Sequence, residues 1–265
     1  MKPRVLILYG YGINCDNEMQ YAFELADADA ERVHINQLIS NERYLQDYQI
    51  LALPGGFSFG DDIGAGKVLA TKFKYNLQEP LQQFIAAGKL VIGICNGFQV
   101  MVKLGILPGM GGDYRSQQVT LTFNDSGRFE DRWVYLDILP TRCVFTQGIT
   151  RIYLPVRHGE GKFVPQDNDV LQKLYQNKQV VAQYVDPSGN RNPAFPWNPN
   201  GSVDSIAAIC DETGRIFGMM PHPEAHLFPI NNPTWPNRKA TGIPLPPAGQ
   251  GLQIFQNAVE YIKNN

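Results

Sequence analysis

Cysteine is scarce in this sequence, and no two cysteines lie close together. The 265 residues include 4 cysteines, at positions 15, 95, 143 and 210, without any C-x-x-C pair. Cysteine-based zinc sites need paired ligands at short spacing, and disulfide frameworks belong to small secreted chains with closely spaced cysteines. The sequence therefore predicts neither a structural zinc site nor a disulfide framework.

An excess of basic residues and a long apolar run are also missing. The 23 Lys and Arg residues are balanced by 25 Asp and Glu residues, which gives a formal net charge of -2. Proteins that bind nucleic acid generally carry excess positive charge for phosphate contacts, so we do not expect nucleic-acid binding. The apolar run near the first residue stops at Gly10, too short for a signal sequence, and no later run approaches the length of a bilayer span. We expect a soluble, cytoplasmic protein with no membrane contact.

Short apolar runs alternate with amphipathic stretches in the first half of the chain. Continuous apolar runs are typical of strands covered on both faces, and the stretches between them repeat apolar residues at helical spacing. This alternation predicts an α/β fold, with a doubly wound, mostly parallel sheet and helices on both faces. The predicted strands are 4–10, 30–36, 49–54 and 89–94, and the predicted helices include 17–28 and 80–88.

The second half of the chain adds further strands and long loops. The predicted strands, of which the first two are antiparallel, are 117–123, 132–138, 180–185, 206–210 and 215–220, and 251–263 is a final helix. Residues 186–201 and 226–251 are rich in proline, asparagine or glycine and are predicted to be loops. Because no repeat or linker is evident, we predict one domain over residues 1–265, with a proline-rich extension at about 226–251. We expect this extension to contact a partner or to cover the functional site.

The clearest sign of chemistry is the segment GICNGFQ at residues 93–99. A predicted buried strand ends at Cys95, a helical stretch follows at once, and glycines stand two residues to either side. This pattern is typical of a sharp strand-to-helix turn that presents a nucleophile. The positive end of the following helix favours the reactive thiolate, and the backbone N–H of Asn96 is placed to donate to an oxyanion. The alternative is a buried cysteine between structural glycines.

A cysteine nucleophile needs a base that is itself held by a third group. The sequence has 4 histidines, and His34 lies within a predicted strand, where we expect a core residue. His222 stands between two prolines, which should hold the chain extended, so that Glu224 points to the same side. We predict that Glu224 orients His222 as the base for Cys95. A proline-rich loop with incidental polar residues is the alternative.

Two glycine-rich segments and one histidine cluster bear on ligand binding. Gly56, in the turn after predicted strand 49–54, is a candidate second oxyanion donor, and a simple tight turn is the alternative. The segment GAGKV at 64–68 resembles part of a phosphate loop, but it lacks the first glycine and the Ser or Thr that holds magnesium. His222, Glu224 and His226 lack the spacing of a helical zinc motif. We therefore expect neither a nucleotide phosphate nor a metal.

Together these residues resemble the class I glutamine amidotransferases, in which motifs like GICNGFQ and PHPE supply the nucleophile and the His–Glu pair. The resemblance is closer to one branch, the amidotransferase subunits of phosphoribosylformylglycinamidine synthase in purine biosynthesis. Two departures from the pattern are Ala225, where many members have arginine, and Arg157, where a small apolar residue is more usual. The segments that support the resemblance are GINCD at 12–16, PGGFSFGDDIGAGKV at 54–68, HGEGKF at 158–163, NPNGS at 198–202 and RIFGMMPHPE at 215–224.

The resemblance implies a role for each site residue. Cys95 attacks the amide of glutamine, and His222, held by Glu224, passes a proton to the departing ammonia. The backbone amides of Gly56 and Asn96 hold the oxyanion. Gln99 helps to seat the substrate.

The resemblance also implies partners. This chain needs no cofactor, because ATP and magnesium belong to a separate synthetase subunit that uses the ammonia to convert formylglycinamide ribonucleotide to formylglycinamidine ribonucleotide. A small third subunit often completes such complexes. Two other functions stay open: a cysteine hydrolase of the γ-glutamyl hydrolase type, which shares Cys95 and His222, and a non-catalytic regulatory subunit.

Overall fold

The computed structural model describes residues 2–191 and 194–265. The strands are β1 Arg4–Tyr9, β2 Asp29–His34, β3 Ile50–Leu53, β4 Leu90–Ile94, β5 Val119–Thr122, β6 Glu130–Ile138, β7 Arg151–His158, β8 Lys162–Pro165, β9 Val180–Val185, β10 Ile206–Cys210 and β11 Ile216–Met219. The α-helices are α1 Asp16–Leu25, α2 Ile35–Ser40, α3 Lys67–Asn76, α4 Gln78–Ala86, α5 Asn96–Leu104, α6 Asn168–Gln176, α7 Trp235–Ala240 and α8 Leu252–Asn264.

The strands build one large mixed sheet and a small separate one. The large sheet has 9 strands in the order β2-β1-β3-β4-β11-β10-β9-β6-β7, and β5 pairs with β8 in a 2-stranded sheet. The strands from β2 to β11 in this order run parallel, whereas those from β10 to β7 alternate in direction. The predicted α/β fold, a doubly wound parallel sheet with added antiparallel strands, is confirmed.

Helices cover both faces of the parallel half. The chain passes from β1 outward to β2 and then returns past β1 to β3, so right-handed connections place α1 on one face and α3 and α4 on the other. α8 packs beside α1, where the rings of Phe23 and Phe255 meet edge to face with centroids 5.0 Å apart. The strand order reverses between β1 and β3. The carboxyl ends of the strands near this point are where ligands bind in such sheets.

Several elements were not predicted, and β7 is the most informative of them. It contains Pro155, which cannot donate to a strand ladder and therefore argues against a central strand. Pro155 is tolerated in β7 because this strand lies at the edge of the large sheet and pairs only with β6. Segments 117–123 and 132–138 do form antiparallel strands, β5 and β6, but these belong to different sheets.

His34 is not the core residue that the sequence predicted. It ends β2 and caps α2, and its Nδ1 accepts a hydrogen bond from the backbone N–H of Asn36 at 3.1 Å. The apolar run stops there because the chain turns into a helix. His34 is half-buried as a result.

The predicted loop 186–201 contains no helix and no strand of either sheet in its described residues, whereas the predicted loop 226–251 contains a helix. Residues 192 and 193 of the predicted loop 186–201 lie outside the described residues. The extension 226–251 contains α7 and is closed at its base, because the N–H of Gly249 donates to Leu227 O at 2.8 Å and that of Gly251 donates to His226 O at 2.9 Å.

Buried apolar side chains of the described residues form one contiguous core, from Val5 in β1 to Val259 in α8. The single domain over residues 1–265 stays a prediction. Within the described ranges, no helix combines the length and the apolarity needed to cross a bilayer.

Candidate active site

Cys95 lies at a sharp turn between β4 and α5. Its backbone has φ 50° and ψ -106°, a left-handed conformation that costs about 1 to 3 kcal/mol for a residue other than glycine. The turn is held because the N–H of Cys95 donates to Met219 O in β11 at 2.8 Å. A Cβ at Gly97 would lie 1.9 Å from Leu53 O, so only glycine lets α5 pack this closely against β3. The structure thus has the strand–cysteine–helix turn that GICNGFQ predicts.

His222 and Glu224 form a buried pair just beyond the end of β11. Glu224 Oε1 lies 2.5 Å from His222 Nδ1, and the two side chains are 0% and 2% exposed. The N–H of His222 donates to Pro155 O in β7 at 2.8 Å, which anchors the segment across the sheet. The contact forms differently from the prediction of an extended chain: His222 is extended, but Pro223–Ala225 is a 3-10 turn that begins with proline. Proline suits the first position of a helical turn, since it has no N–H to satisfy.

The surroundings of His222 favour its charged form. Burial alone lowers the pKa of His222, but the Glu224 carboxylate and the Cys95 sulfur beside the ring outweigh burial and raise the pKa well above its usual value. Glu224 therefore holds the ring through Nδ1 and stabilises an imidazolium. Such an imidazolium can pair with a thiolate and later give its proton to a leaving group.

Two backbone N–H groups are candidate oxyanion donors, one at Gly56, which lines a cavity together with Cys95, and one at Asn96, which follows Cys95 in the chain. Gly56 has φ 148°, and a Cβ there would lie 2.7 Å from Gly12 O, so the position requires glycine. Asn96 follows Cys95 in the first turn of α5, where backbone N–H groups have no partner within the helix. Within residues 2–191 and 194–265, neither N–H donates to another group. The two N–H groups are suited to an oxyanion.

The side chains of Asn96 and Gln99 tie three loops together. Asn96 Oδ1 accepts from the N–H of Ser58 at 3.1 Å, and its Nδ2 donates to Asp61 Oδ1 at 3.1 Å. This fixes the turn that contains Gly56 against α5. Gln99 Nε2 donates to Glu160 O, and its Oε1 accepts from Asn96 Nδ2 at 3.0 Å. Gln99 thus lines the cavity while it supports the neighbouring loop.

His158 is a neutral structural group beside this site. Burial, with a smaller contribution from the charge of His222, lowers the pKa of His158 to about 3. Its Nδ1 lies 3.2 Å from Asn124 Oδ1, and Asn124 Oδ1 also accepts from the N–H of Gly161 at 2.9 Å. A Cβ at Gly161 would lie 2.4 Å from the His158 ring. The segment HGEG is therefore a tightly packed loop in which His158 stays neutral and is a weak base.

A cavity of about 270 Å³ opens over Cys95. This volume is below the range of about 300 to 1,000 Å³ typical of sites for drug-sized ligands, so it suits a small molecule. Its charged groups have both signs, from Arg128 and Arg157 on one hand and Asp61 and Glu160 on the other. Its lining residues are Gly56, Phe57, Asp61, Ala65, Cys95, Gln99, Phe123, Gly127, Arg128, Phe129, Arg157, His158, Gly159 and Glu160. None of them comes from 226–251, so the extension does not cover this opening.

The GAGKV segment is not arranged to hold a phosphate. The N–H of Ala65 donates to the Glu160 carboxylate at 3.2 Å, and that of Gly66 donates to Asp61 Oδ1 at 3.2 Å. A phosphate loop needs such N–H groups free and no carboxylate beside them. His226 contacts β7, since its Nδ1 lies 2.9 Å from Tyr153 O.

Three features of the site could not be predicted from the sequence. The carbonyl of Arg157 accepts a hydrogen bond from Cys95 Sγ at 3.6 Å. Glu160 closes the cavity against 64–68, and Cys15 Sγ lies within 4.8 Å of a His222 ring nitrogen. The segments GINCD and HGEG marked two of these regions through resemblance, but no periodicity or spacing connects them to Cys95.

The chain matches the sequence profile of the CobB/CobQ-like glutamine amidotransferase domain over residues 2–262. The chain belongs to this glutamine amidotransferase family. It is similar to phosphoribosylformylglycinamidine synthase subunit PurQ of Dehalococcoides mccartyi, with 50% identity over 263 residues that cover 99% of this chain and 98% of the relative. The PurQ subunit of Methanococcus maripaludis is 46% identical over 265 residues, covering 98% of this chain and 97% of the relative.

A solved structure agrees with these amidotransferase relatives. A chain in the structure of PurLQS from Thermotoga maritima is 28% identical, has a TM-score of 0.73, and covers 99% of this chain and 100% of that chain. The resemblance to the amidotransferase subunits of phosphoribosylformylglycinamidine synthase is thereby confirmed. Because the Dehalococcoides mccartyi relative aligns over 99% of this chain, the extension at 226–251 is shared and is not an addition peculiar to this chain.

Proposed function

We propose that this chain is the glutaminase subunit of a phosphoribosylformylglycinamidine synthase. It hydrolyses glutamine and delivers ammonia to a synthetase subunit, which converts formylglycinamide ribonucleotide to formylglycinamidine ribonucleotide with ATP. The observation that supports the chemistry best is Cys95 at a strained helix start beside the buried His222–Glu224 pair. The names of the relatives with 50% and 46% identity support the assignment to purine biosynthesis.

The cavity suits glutamine because a free amino acid carries one charge of each sign. We assign Arg128 and Arg157 to its carboxylate, and Asp61 and Glu160 to its ammonium, because these are the charged residues that line the cavity. The side-chain amide then points to Cys95, which lies between the N–H groups of Gly56 and Asn96. Opposite charges in a shielded cleft attract a zwitterion more strongly than in bulk water.

The first half of the reaction is acylation. The Cys95 thiolate attacks the amide carbon, and the negative charge that develops on the carbonyl oxygen is held by the N–H groups of Gly56 and Asn96. His222 gives its proton to the amide nitrogen, the C–N bond breaks, and ammonia leaves. A glutamyl thioester remains on Cys95, and His222 is now neutral.

The second half is hydrolysis of the thioester. Neutral His222 takes a proton from water, which attacks the thioester carbon and forms a second oxyanion in the same place. The C–S bond then breaks, glutamate leaves, and the Cys95 thiolate and the His222 imidazolium are restored. Glu224 stabilises the imidazolium at the beginning and the end of each cycle.

A protein partner is expected at the mouth of the cavity. Phe57, Phe123 and Phe129 line the opening and are 43%, 70% and 52% exposed. Exposed aromatic rings in a cluster are typical of interaction surfaces. We propose that the synthetase docks over this rim, so that ammonia passes directly between sites, and that a small third subunit completes the complex.

No cofactor is assigned to this chain. We propose that ATP and magnesium bind the synthetase, because the N–H groups of the GAGKV segment already donate to Asp61 and Glu160. We also propose a cytoplasmic location. A catalytic thiol such as Cys95 must stay reduced, and the cytoplasm is a reducing compartment.

The test measures glutamate release by the purified chain, alone and with the synthetase. We expect a slow rate alone, a sharp rise with the synthetase, and loss of activity in Cys95→Ala, while Cys143→Ala retains it. Peptide mapping after treatment with diazo-oxo-norleucine should place the label on Cys95. A rate of glutamate release that does not change when the synthetase is added would favour a γ-glutamyl hydrolase. An inactive wild-type complex would favour a regulatory subunit. Activity retained in Cys95→Ala would refute the mechanism.

A further inference from the structure

A second thiol lies beside the catalytic pair and takes no part in the proposed reaction. Cys15 Sγ, a His222 ring nitrogen and a Glu224 carboxylate oxygen all lie within 4.8 Å of one another. Cys15 starts α1, and the N–H of Cys15 donates to Gly55 O at 3.2 Å. Gly55 lets Cys15 and His222 approach each other, because a Cβ at Gly55 would lie 2.7 Å from the His222 ring and 3.4 Å from Cys15 Sγ.

Two buried atoms of the catalytic pair have unused bonding capacity. His222 Nε2 and Glu224 Oε2 have no hydrogen-bond partner in the described part of the chain. Both residues are at least nine-tenths buried. Buried polar atoms without partners are rare in folded proteins and call for a ligand or a function. His222 carries a proton during catalysis, which accounts for one of these atoms. The Cys15 sulfur is a third possible metal ligand beside them, and the proposed reaction does not use it.

We propose that Cys15, His222 and Glu224 form an inhibitory zinc site inside the active site. The donor set, one thiolate sulfur, one imidazole nitrogen and one carboxylate oxygen, is typical of Zn²⁺ and unlike the all-oxygen sets of Mg²⁺ and Ca²⁺. Ligand atoms about 2.0 to 2.3 Å from a tetrahedral ion lie about 3.3 to 3.8 Å apart. Cys15 Sγ therefore moves inward by on the order of 1 Å, and the Glu224–His222 contact of 2.5 Å opens as the ion enters. A water molecule takes the fourth position.

Zinc at this site stops the reaction because it occupies the base. Binding of the ion releases two protons to solvent, one from the Cys15 thiol and one from the His222 imidazolium, because the ligands are a thiolate and a neutral imidazole. A His222 nitrogen that binds the ion cannot carry the proton for ammonia. Inhibition rests on the function proposed above, whereas binding of the ion does not.

Inhibition is measured first, as glutaminase activity against Zn²⁺ concentration in the full chain with the synthetase. Cys15→Ser is compared with its own rate without zinc, because Cys15 lies beside His222 and serine changes the surroundings of that base. It should need at least about tenfold more Zn²⁺ for half inhibition, since it loses a ligand. Cys143→Ser, a buried thiol elsewhere, should match the wild type, and Mg²⁺ should not inhibit. Equal zinc sensitivity of Cys15→Ser and wild type would overturn the proposal.

Binding is measured separately, without activity, in the Cys95→Ala chain. This variant retains three donors, so Co²⁺ used in place of Zn²⁺ should produce thiolate-to-cobalt absorption in the near ultraviolet. The absorption should disappear on adding Zn²⁺ and should be lost in Cys15→Ser/Cys95→Ala. No thiolate absorption in Cys95→Ala would overturn the site even if the glutaminase function is correct. This measurement decides the matter even if Cys15→Ser folds poorly.

Discussion

Replacement of Glu224 by glutamine changes one charge in the catalytic pair and almost nothing of its shape. Glu224 is fully buried, and its Oε1 lies 2.5 Å from His222 Nδ1. Glutamine can present a carbonyl oxygen at the same place, so the ring keeps a hydrogen bond and its tautomer. The variant therefore isolates the electrostatic contribution of the carboxylate to the His222 imidazolium.

The size of the effect follows from the burial of the pair. A hydrogen bond to a charged group contributes about 1.5 to 3 kcal/mol, and breaking a fully buried ion pair costs about 3 to 5 kcal/mol. We take about 3 kcal/mol as the loss from Glu224→Gln, because a neutral hydrogen bond remains. Since about 1.4 kcal/mol corresponds to a factor of ten in rate, kcat/KM should fall by about a hundredfold.

The direction in which the pH–rate profile shifts is an independent test of the role of Glu224. The pKa of His222 is raised well above its usual value, with Glu224 as the largest of the raising causes, against burial, which lowers it. The imidazolium is therefore present at neutral pH and is lost as pH rises through the raised pKa. In Glu224→Gln this loss occurs at lower pH, so the basic limb of the pH–rate profile should move toward acid.

The assay is steady-state glutamate release across pH in the complex with the synthetase. Glu260→Gln, the same chemical change at an exposed position of α8, is the matched control and should leave the profile unchanged. Circular dichroism should show that both variants are folded. A fall of less than about threefold in kcat/KM, or a basic limb that stays in place, would refute the role given to Glu224.

Three further predictions test the turn, the loop and the rim. Gly97→Ala places a Cβ 1.9 Å from Leu53 O and should lower the unfolding free energy by about 3 kcal/mol or more. Gly159→Ala is the control: its Cβ meets nothing within 4 Å, so it should change the unfolding free energy by less than about 0.5 kcal/mol. Both are measured by urea unfolding, and equal losses would contradict the packing argument. The folded-state pKa of His158 is about 3, against about 6.5 in an unfolded chain, so unfolding takes up a proton between these values. Wild-type stability should therefore fall relative to His158→Gln by about 1.4 kcal/mol for each pH unit below about 6.5, and a constant difference would show that His158 is not buried neutral. Phe123→Asp at the exposed rim should weaken synthetase binding at least about tenfold by calorimetry, and unchanged affinity would place the partner elsewhere.

Much of the site could be predicted because its chemistry is local in the chain. Cys95 and the glycines beside it lie within one segment, and the strand that precedes them is continuously apolar, so the turn follows from sequence. His222 and Glu224 are two residues apart, and their contact was expected, although a 3-10 turn and not an extended chain produces it. Such short-range features depend on backbone preferences that a few residues express.

Other features could not be predicted, because they depend on segments that meet only in the folded chain. β7 was not predicted because it contains Pro155, and proline is allowed there only because the strand lies at the edge of the sheet. His34 was placed in the core, but its position at the end of β2 makes it a helix cap. The contact of Cys15 with His222 joins residues from opposite ends of the chain, and no local pattern records it.

The order of apolar runs by itself determined the α/β class and the strand–cysteine–helix turn, since burial on both faces and close helix packing demand those residue types. The tertiary structure alone decided which side chains face Cys95. It brings His222, Arg157 and Cys15 to one edge of the sheet because parallel strands distant in sequence align their carboxyl ends there. The charges in that shielded place, and not the sequence distance between them, set the protonation of His222.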